Sequence, residues 1–221
     1  MRVLVLDTAL GACQAGLFDD DTPLAVLERA MEQGGMERIA GLTRDLMEAA
    51  GLGFDTIDRI GVTAGPGSFT GLRVGLAFAQ GLGAALARPV VGLSSLDALA
   101  ASAATEGAVM AAIDARRGQV YARAFREGSP LGAPEALGLA EAHARAETLG
   151  PGLRLVGSGA ALLAEGLERP EIVALAAPSP LALARLTRTA DPETAPPRPL
   201  YLRAPDATPP TRRPGAPRTA K

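Results

Sequence analysis

A strand–aspartate–turn–strand unit occurs twice in the 221-residue sequence, and this repeat limits the possible folds more than any other feature. The first copy covers residues 2–18, with Asp7 between two apolar stretches. The second covers residues 110–125, with Asp114 placed just before the turn Arg116-Arg117-Gly118. Such self-similarity predicts a duplicated structure with two related lobes.

The segments between and around the two copies alternate between strand-like and helix-like patterns. Apolar residues recur at helical spacing from Met36 to Ala50, and again from about Gly71 to Ala87. Short β-type runs lie near Ile60 and at 89–93, which predicts the order β-β-α-β-α-β up to residue 100. A further amphipathic helix is predicted over 180–190. This alternation favours an α/β fold.

The loop Gly65-Pro66-Gly67-Ser68-Phe69-Thr70-Gly71-Leu72-Arg73-Val74-Gly75 looks like a phosphate-binding loop but lacks the required residues. A Walker loop has four residues between its glycines, followed by a lysine that reaches the outer phosphates. Here three residues separate Gly67 from Gly71, and Lys221 is the only lysine in the chain. The sequence therefore excludes a Walker-type ATPase.

The composition excludes several kinds of site. The single cysteine, Cys13, rules out an internal disulfide, and the single histidine, His143, rules out a multi-histidine metal centre. The net charge of −2 provides no general attraction to nucleic acid. We expect residues 204–221, a proline-rich segment that carries an excess of basic residues, to form a disordered basic tail, either simply solvated or weakly steering RNA.

The longest apolar stretches are interrupted before they reach the length of a membrane span, and the N-terminus has no signal-peptide pattern. We therefore expect a cytoplasmic protein with no membrane partner.

Five motifs, taken in order along the chain, resemble the TsaB (YeaZ) family, the non-catalytic subunit of the bacterial machinery that makes threonylcarbamoyladenosine in tRNA. They are Leu6-Asp7-Thr8, the loop 65–75, Ile113-Asp114-Ala115-Arg116-Arg117-Gly118-Gln119-Val120-Tyr121, Val156-Gly157-Ser158-Gly159 and Pro199-Leu200-Tyr201-Leu202-Arg203. The loop is the most specific of the five. The resemblance extends from residue 1 to about residue 203.

The resemblance implies an actin/Hsp70-like (ASKHA) α/β fold, with duplicated ribonuclease-H-like lobes that each contain a mixed β-sheet flanked by helices. It implies an N-terminal lobe over residues 1–100 that carries docking helices, and a C-terminal lobe over 101–203, followed by the tail.

Comparison with the catalytic paralogue, the TsaD family, indicates that this chain is not an enzyme by itself. TsaD proteins carry a His-x-x-x-His metal motif after the strand that follows the Gly-rich helix. At the matching place this sequence has Ser95 and Leu99, and a leucine cannot bind a metal. We therefore expect no catalytic residues, no metal and no cofactor.

The resemblance to the actin-like superfamily also identifies a possible vestigial nucleotide site. Its residues would be Asp7, Thr8, Asp114, Gly157 and Gly159. Arginines fill the second hairpin turn, where functional ATPases have glycines that let backbone amides approach phosphate. The alternative function, a nucleotide-dependent phosphotransferase or ATPase of the actin-like superfamily, would use these same residues.

Small residues recur every fourth position along the Gly-rich helix, so they form one stripe that permits close helix approach. Packing against the protein's own sheet and docking of a partner both explain this stripe. Because the helix is apolar all round, we expect a partner-docking surface shared with the preceding helix. Its predicted residues are Met36, Ile39, Leu42, Leu46, Gly71, Leu72, Gly75, Ala79, Leu82 and Gly83.

Together these expectations describe a scaffold or dimerisation subunit. The resemblance implies a heterodimer with a TsaD-type catalytic subunit, a TsaE-type P-loop ATPase as a further partner, and a homodimer when the chain is alone. Contact with tRNA would be indirect.

Overall fold

The computed structural model describes residues 1–30, 38–103 and 106–203, which form two lobes, each built on one β-sheet. The first sheet has five strands in the order β3-β2-β1-β4-β5. Their bounds are β1 Arg2–Asp7, β2 Ala12–Asp19, β3 Thr22–Ala30, β4 Arg59–Gly65 and β5 Val90–Ser94. The central strands β1 and β4 are buried along almost their whole length, because helices cover both faces of the sheet.

Four helices pack on the first sheet or beside it. They are α1 Ile39–Ala50, α2 Phe69–Leu86, α3 Ser95–Ser102 and, from the end of the chain, α6 Pro180–Thr189, with a short 3₁₀ helix at Phe54–Thr56. The Ser68 side chain caps α2 by accepting a hydrogen bond from the Gly71 amide, and α1 ends at Gly51 in the left-handed conformation. These local signals fix the start of α2 and the end of α1.

The second sheet has the order β11-β10-β6-β7-β8. Strand β9 pairs with the first half of β7, on the same edge of β7 whose last two residues pair with β8. Its elements are β6 Ala108–Arg116, β7 Gln119–Arg126, β8 Ser129–Pro130, β9 Glu135–Gly138, α4 Leu139–Glu147, β10 Arg154–Val156, α5 Ala160–Leu163 and β11 Glu171–Val173. These elements bury an apolar core of their own, distinct from that of the first sheet.

The predicted duplication is visible in the strand pairing. In the first lobe β1 pairs antiparallel with β2 and parallel with β4, and in the second β6 pairs antiparallel with β7 and parallel with β10. Each lobe therefore begins with an antiparallel hairpin whose first strand also lies beside a parallel strand. The α/β class and the two mixed sheets agree with the sequence-based prediction.

Two features differ from the sequence-based prediction, one in the element order and one in the division between the lobes. A third strand, β3, follows the first hairpin and forms one edge of the first sheet. The second difference concerns the lobes, because the predicted division between residues 100 and 101 assigns α6 to the second lobe. In the structure α6 packs on the first sheet, where Leu183 and Ala184 lie in one apolar cluster with Val3 and Phe18. The chain therefore returns to the first lobe before its end.

Candidate functional site

A cleft of about 750 Å³ separates the two lobes at the ends of their opening hairpins. Its walls include the turn after β1 (Ala9 to Gly11), the loop before α2 (Pro66 to Phe69), the end of β6 (Ile113 to Arg116), Tyr121, Ser158, Ala176 and the segment Leu200 to Arg203. Some of the residues predicted for a vestigial nucleotide site line this cleft, and others do not.

Asp7 lies outside the cleft lining and is completely buried. Its Oδ1 accepts hydrogen bonds from the Ala9 amide at 2.8 Å and the Thr63 hydroxyl at 2.6 Å, and its Oδ2 accepts one from Gln14 Nε2 at 3.1 Å. Burial raises the pKa of the Asp7 carboxyl, although the hydrogen bonds from Thr63, Ala9 and Gln14 act to lower it. Asp7 therefore holds the hairpin together and does not face a ligand.

Thr8 also serves the fold. Its side chain is buried, and its hydroxyl donates to the carbonyl of Gly71 in α2 at 2.7 Å. The contribution of Asp7 and Thr8 to a nucleotide site stays a prediction; in this structure both side chains are buried and neither lines the cleft.

Three backbone amides in the two hairpin turns, where an ATPase would cradle phosphate, already have partners. In the first hairpin the Ala9 amide donates to Asp7, and the Gly11 amide donates to the carbonyl of Ala176 at 3.0 Å. In the second, the Arg116 amide donates to Asp114 Oδ1 at 2.8 Å. A phosphate could reach these amides only by breaking existing hydrogen bonds.

Asp114 is the one predicted carboxylate that does line the cleft, and it is half-buried there. Its Oδ2 pairs with Arg116 Nη1 at 3.2 Å, and its own amide donates to Ser158 Oγ at 3.1 Å. Arg116 and Arg117 are both exposed and both have positive φ, 64° and 56°, in the hairpin turn. The turn therefore presents side-chain cations where an active ATPase would present glycine amides.

Gly157 and Gly159 pack closely against β6. A Cβ on Gly157 would lie 2.5 Å from the carbonyl oxygen of Ala112, and Gly157 has a φ of 103°. The Gly159 amide donates to the same carbonyl at 2.9 Å. Both glycines are therefore needed for close approach of the backbone, whether or not a nucleotide binds.

Within the described parts of the chain, no group of three or more His, Cys, Asp or Glu side chains could hold a metal ion. Ser95 and Leu99, which stand where the catalytic paralogue has its two histidines, are both fully buried in α3.

Residues 195–203, here called the strap, run from the first lobe across the cleft to the second. The strap begins beside the edge strand β5, where the Gly92 amide donates to the Ala195 carbonyl at 2.9 Å. The Leu200 amide then donates to the carbonyl of Ala64, and Arg203 Nη1 donates to the carbonyl of Ala115 in the second lobe at 2.9 Å. The strap therefore covers a sheet edge and ties the lobes together.

Tyr201 of the strap forms an exposed aromatic cluster with Phe69 and Arg73 of α2. The two ring centroids are 5.6 Å apart and tilted by 33°. The Arg73 guanidinium lies 3.7 Å from the centroid of the Phe69 ring, and its Nε donates to the Tyr201 hydroxyl at 3.2 Å. The predicted site residues omit this cluster. The motif 199–203 could have indicated it, because Tyr201 in this motif is one of only two tyrosines in the chain.

The small-residue stripe of α2 faces the protein's own sheet. Gly71, Gly75, Ala79 and Gly83 are buried, and a Cβ on Gly75 or Gly83 would collide with Thr8 or Val90 respectively. The prediction that this stripe docks a partner is therefore corrected: close packing of α2 on the first sheet explains it.

The other predicted docking residues are also largely internal. Ile39, Leu42, Leu46 and Leu72 are buried in the core of the first lobe, and Leu82 is half-buried. Met36 lies outside the described residues. The exposed side of α1 is mainly charged, with Arg44, Asp45 and Glu48 facing solvent, because its apolar stripe packs on β2 and β3.

An apolar surface nevertheless remains on α2, on the side opposite the small-residue stripe. The outer face of α2 consists of Val74, Ala77, Phe78, Gly81 and Ala85. Ala77, Gly81 and Ala85 are exposed, whereas Val74 and Phe78 are half-buried and also pack against the core of the first lobe. By length and mean hydropathy α2 could cross a membrane, yet only a third of it is buried in the protein. A candidate docking surface is therefore present, built from residues that the sequence-based prediction did not select.

Comparisons with known proteins agree with this architecture. TsaB from Escherichia coli, a "tRNA threonylcarbamoyladenosine biosynthesis protein", is 40% identical over 124 residues, which cover 55% of this chain and 53% of that protein. An uncharacterized protein of Mycobacterium tuberculosis is 35% identical over 211 residues, 94% of each chain. The crystallised YeaZ from Pseudomonas aeruginosa is 28% identical, with a TM-score of 0.75 over 91% of this chain and 99% of that one.

The chain belongs to the TsaB (YeaZ) family. This membership confirms the resemblance read from the five motifs, and the structural likenesses confirm the actin-like fold. The match to the E. coli TsaB spans about half the length of that relative. A family model described as "TsaD: tRNA N6-adenosine threonylcarbamoyltransferase" matches residues 30–133, the part of this TsaB-family chain that contains α1, α2 and α3.

Proposed function

We propose that the chain is a non-catalytic subunit of the complex that makes threonylcarbamoyladenosine in tRNA, and that it docks a TsaD-type catalytic subunit. The names of its TsaB relatives support the pathway. The site geometry supports the absence of catalysis by this chain alone, because Asp7 is sequestered in a hydrogen-bond network and the hairpin amides named above already have partners.

The observation that carries the docking proposal is the exposed outer face of α2. Contiguous exposed apolar surface of this kind marks association sites in soluble proteins. Small residues at Ala77, Gly81 and Ala85 leave space for a partner helix to approach the α2 backbone closely. A Cβ added at Gly81 would meet no atom within 4 Å, so nothing in this chain fills that space.

The partner we propose for this face is the related α2-type helix of a TsaD-type subunit, which gives a heterodimer. Because the same face exists on every copy, a homodimer forms through it when the catalytic subunit is missing. A TsaE-type P-loop ATPase completes the assembly, which works in the cytoplasm and in which this chain contacts tRNA indirectly.

An omission assay tests this function. The catalytic subunit, the ATPase, unmodified tRNA, ATP and the threonylcarbamoyl donor are mixed with and without the chain, and tRNA nucleosides are quantified by mass spectrometry. We expect no modified adenosine from the chain alone and restored modification when it joins the other two proteins. Modification by the isolated chain, or equal modification without it, would contradict the proposal.

A further inference from the structure

The mouth of the interlobe cleft concentrates aromatic residues in a chain that has few of them. The sequence contains five phenylalanines, two tyrosines and no tryptophan, yet Phe69, Tyr121 and Tyr201 all line this one cleft. Phe69 is 47% exposed and Tyr201 is 44% exposed, so neither ring is stabilised mainly by burial in the core. Exposed rings grouped at a cavity are typical of a binding surface.

The rings are held in place before any ligand arrives. Arg73 contacts the Phe69 ring and donates to the Tyr201 hydroxyl, and the strap anchors Tyr201 through the neighbouring Leu200 amide. A ligand that stacks on these rings therefore loses little free energy in ordering them.

The same mouth carries an excess of positive charge. Arg116 and Arg203 line the cleft, and Asp114 is the carboxylate that lines it, whereas the sequence as a whole has a net charge of −2. Arg73 contacts two of the lining rings, those of Phe69 and Tyr201, and Arg117 is exposed next to Arg116. Arg116 and Arg117 are both exposed in the turn between β6 and β7, beside the cleft.

Because the hairpin amides are already bonded, an anion at this site would be bound by arginine side chains and not by a backbone cradle. Aromatic rings that stack bases, next to arginines that contact the backbone, are how proteins hold single-stranded nucleic acid. We propose that the cleft mouth binds an unstacked base and its phosphate from a single-stranded segment of RNA. This inference rests on the proposed role in tRNA modification and adds a direct RNA contact to it.

The test measures binding of a fluorescently labelled tRNA anticodon-arm RNA to the full chain by fluorescence anisotropy at several salt concentrations. Tyr201→Ala should weaken binding about tenfold, whereas Tyr201→Phe, which keeps the ring, should bind like the parent. Arg116→Asn should also weaken binding, and should reduce the slope of log affinity against log salt by about 0.7, the value for one lost phosphate contact on a single strand. Asparagine tolerates the left-handed conformation, so this variant should fold at least as stably as the parent.

Arg169→Asn is the matched control, because Arg169 is another exposed arginine with positive φ, at 51°, and does not line the cleft. It should bind RNA like the parent.

A second experiment titrates the chain with ATP and magnesium by calorimetry, and we expect no binding. Parent-like affinity of both Tyr201→Ala and Arg116→Asn, no RNA binding by the parent, or ATP binding that displaces RNA would each overturn the proposal. If the omission assay succeeds while RNA binding is absent, only this inference fails; if RNA binding follows the predictions while the omission assay fails, only the proposed function fails.

Discussion

At the scale of single residues, Asp7 stands at the sequence position predicted for a nucleotide-site carboxylate, but its oxygens accept hydrogen bonds from within the fold. Its three donors come from Ala9, Gln14 and Thr63, and Gln14 Nε2 also donates to the Pro178 carbonyl at 2.8 Å. The sequence marked Asp7 as a conspicuous turn residue. It could not indicate burial, because the enclosing contacts come from segments as distant as Pro178.

The raised pKa of Asp7 predicts a pH dependence of stability. At pH values between the ordinary pKa of 3.8 and the higher pKa of the folded state, the Asp7 carboxyl is protonated in the native protein and ionised in the unfolded chain. The free energy of unfolding contributed by Asp7 therefore falls as pH rises through this window, and the loss is complete above the folded-state pKa. Asp7→Asn removes the titrating group, so the free energy of unfolding of this variant should fall less than that of the parent as pH rises.

Urea unfolding of the parent and of Asp7→Asn between about pH 4 and 8 measures the effect. Asp55→Asn, at an exposed position, provides the control and should keep the parent's pH profile. Identical pH profiles for the parent and Asp7→Asn would show that burial of Asp7 does not perturb its titration.

At the scale of elements, α2 illustrates what a helical pattern leaves undecided. Both of its long sides are rich in small and apolar residues, so the pattern alone could not tell which side packs inward. Close approach of α2 to the first sheet decides it, since only glycine fits at Gly75 beside Thr8 and at Gly83 beside Val90. The helix itself was predictable to within two residues, whereas the assignment of its faces needed the sheet.

Two glycines of α2 should respond to substitution in opposite ways. Gly75→Leu inserts a side chain against buried Thr8 and should lower the free energy of unfolding by about 3 kcal/mol. Gly81→Ala adds a methyl group in open space and should raise it by about 0.5–1 kcal/mol through better helix propensity. Chemical denaturation of both variants checks the pair, and destabilisation by Gly81→Ala would mean that the outer face is packed inside the protein.

Strand β3 was missed because its identity depends on its neighbour. Ala25 and Leu27 are half-buried against the core while Leu24, Val26 and Glu28 are exposed. In the sequence this alternation is hidden, because residues 24–27 form an unbroken apolar run that follows Pro23. Antiparallel pairing with the long strand β2 holds it at the sheet edge. By contrast, the opening hairpin, α2 and α6 carry strong local patterns, and all were predictable.

At the scale of the whole molecule, the two lobes are joined firmly. Leu10, Leu96 and Leu99 of the first lobe pack in one apolar cluster with Ile113 and Val156 of the second. In addition, Arg123 Nη1 in β7 donates to both carboxylate oxygens of Asp97 in α3, at 2.6 and 2.7 Å. The strap adds a third connection.

The connection between Asp97 and Arg123 predicts a measurable contribution to stability. Arg123→Met keeps an unbranched side chain but leaves the half-buried Asp97 without its cation, so the free energy of unfolding should fall by about 2 kcal/mol. Arg44→Met removes the exposed ion pair with Asp45 and should change stability by less than about 0.5 kcal/mol. Chemical denaturation compares the two, and equal small losses would mean that the lobes do not depend on this pair.

The outer face of α2 is the surface through which we propose that the chain docks the catalytic subunit. Gly81→Glu places a charge at its centre, where an added Cβ would meet no atom of this chain within 4 Å, and Ala144→Glu places the same charge on an exposed position of α4. The affinity of each variant for a TsaD-type subunit, measured by calorimetry, tests the claim most directly. We predict at least about a hundredfold loss for Gly81→Glu, the effect of burying an unpaired charge, and parent-like affinity for Ala144→Glu. Unchanged affinity of a folded Gly81→Glu variant would contradict the account.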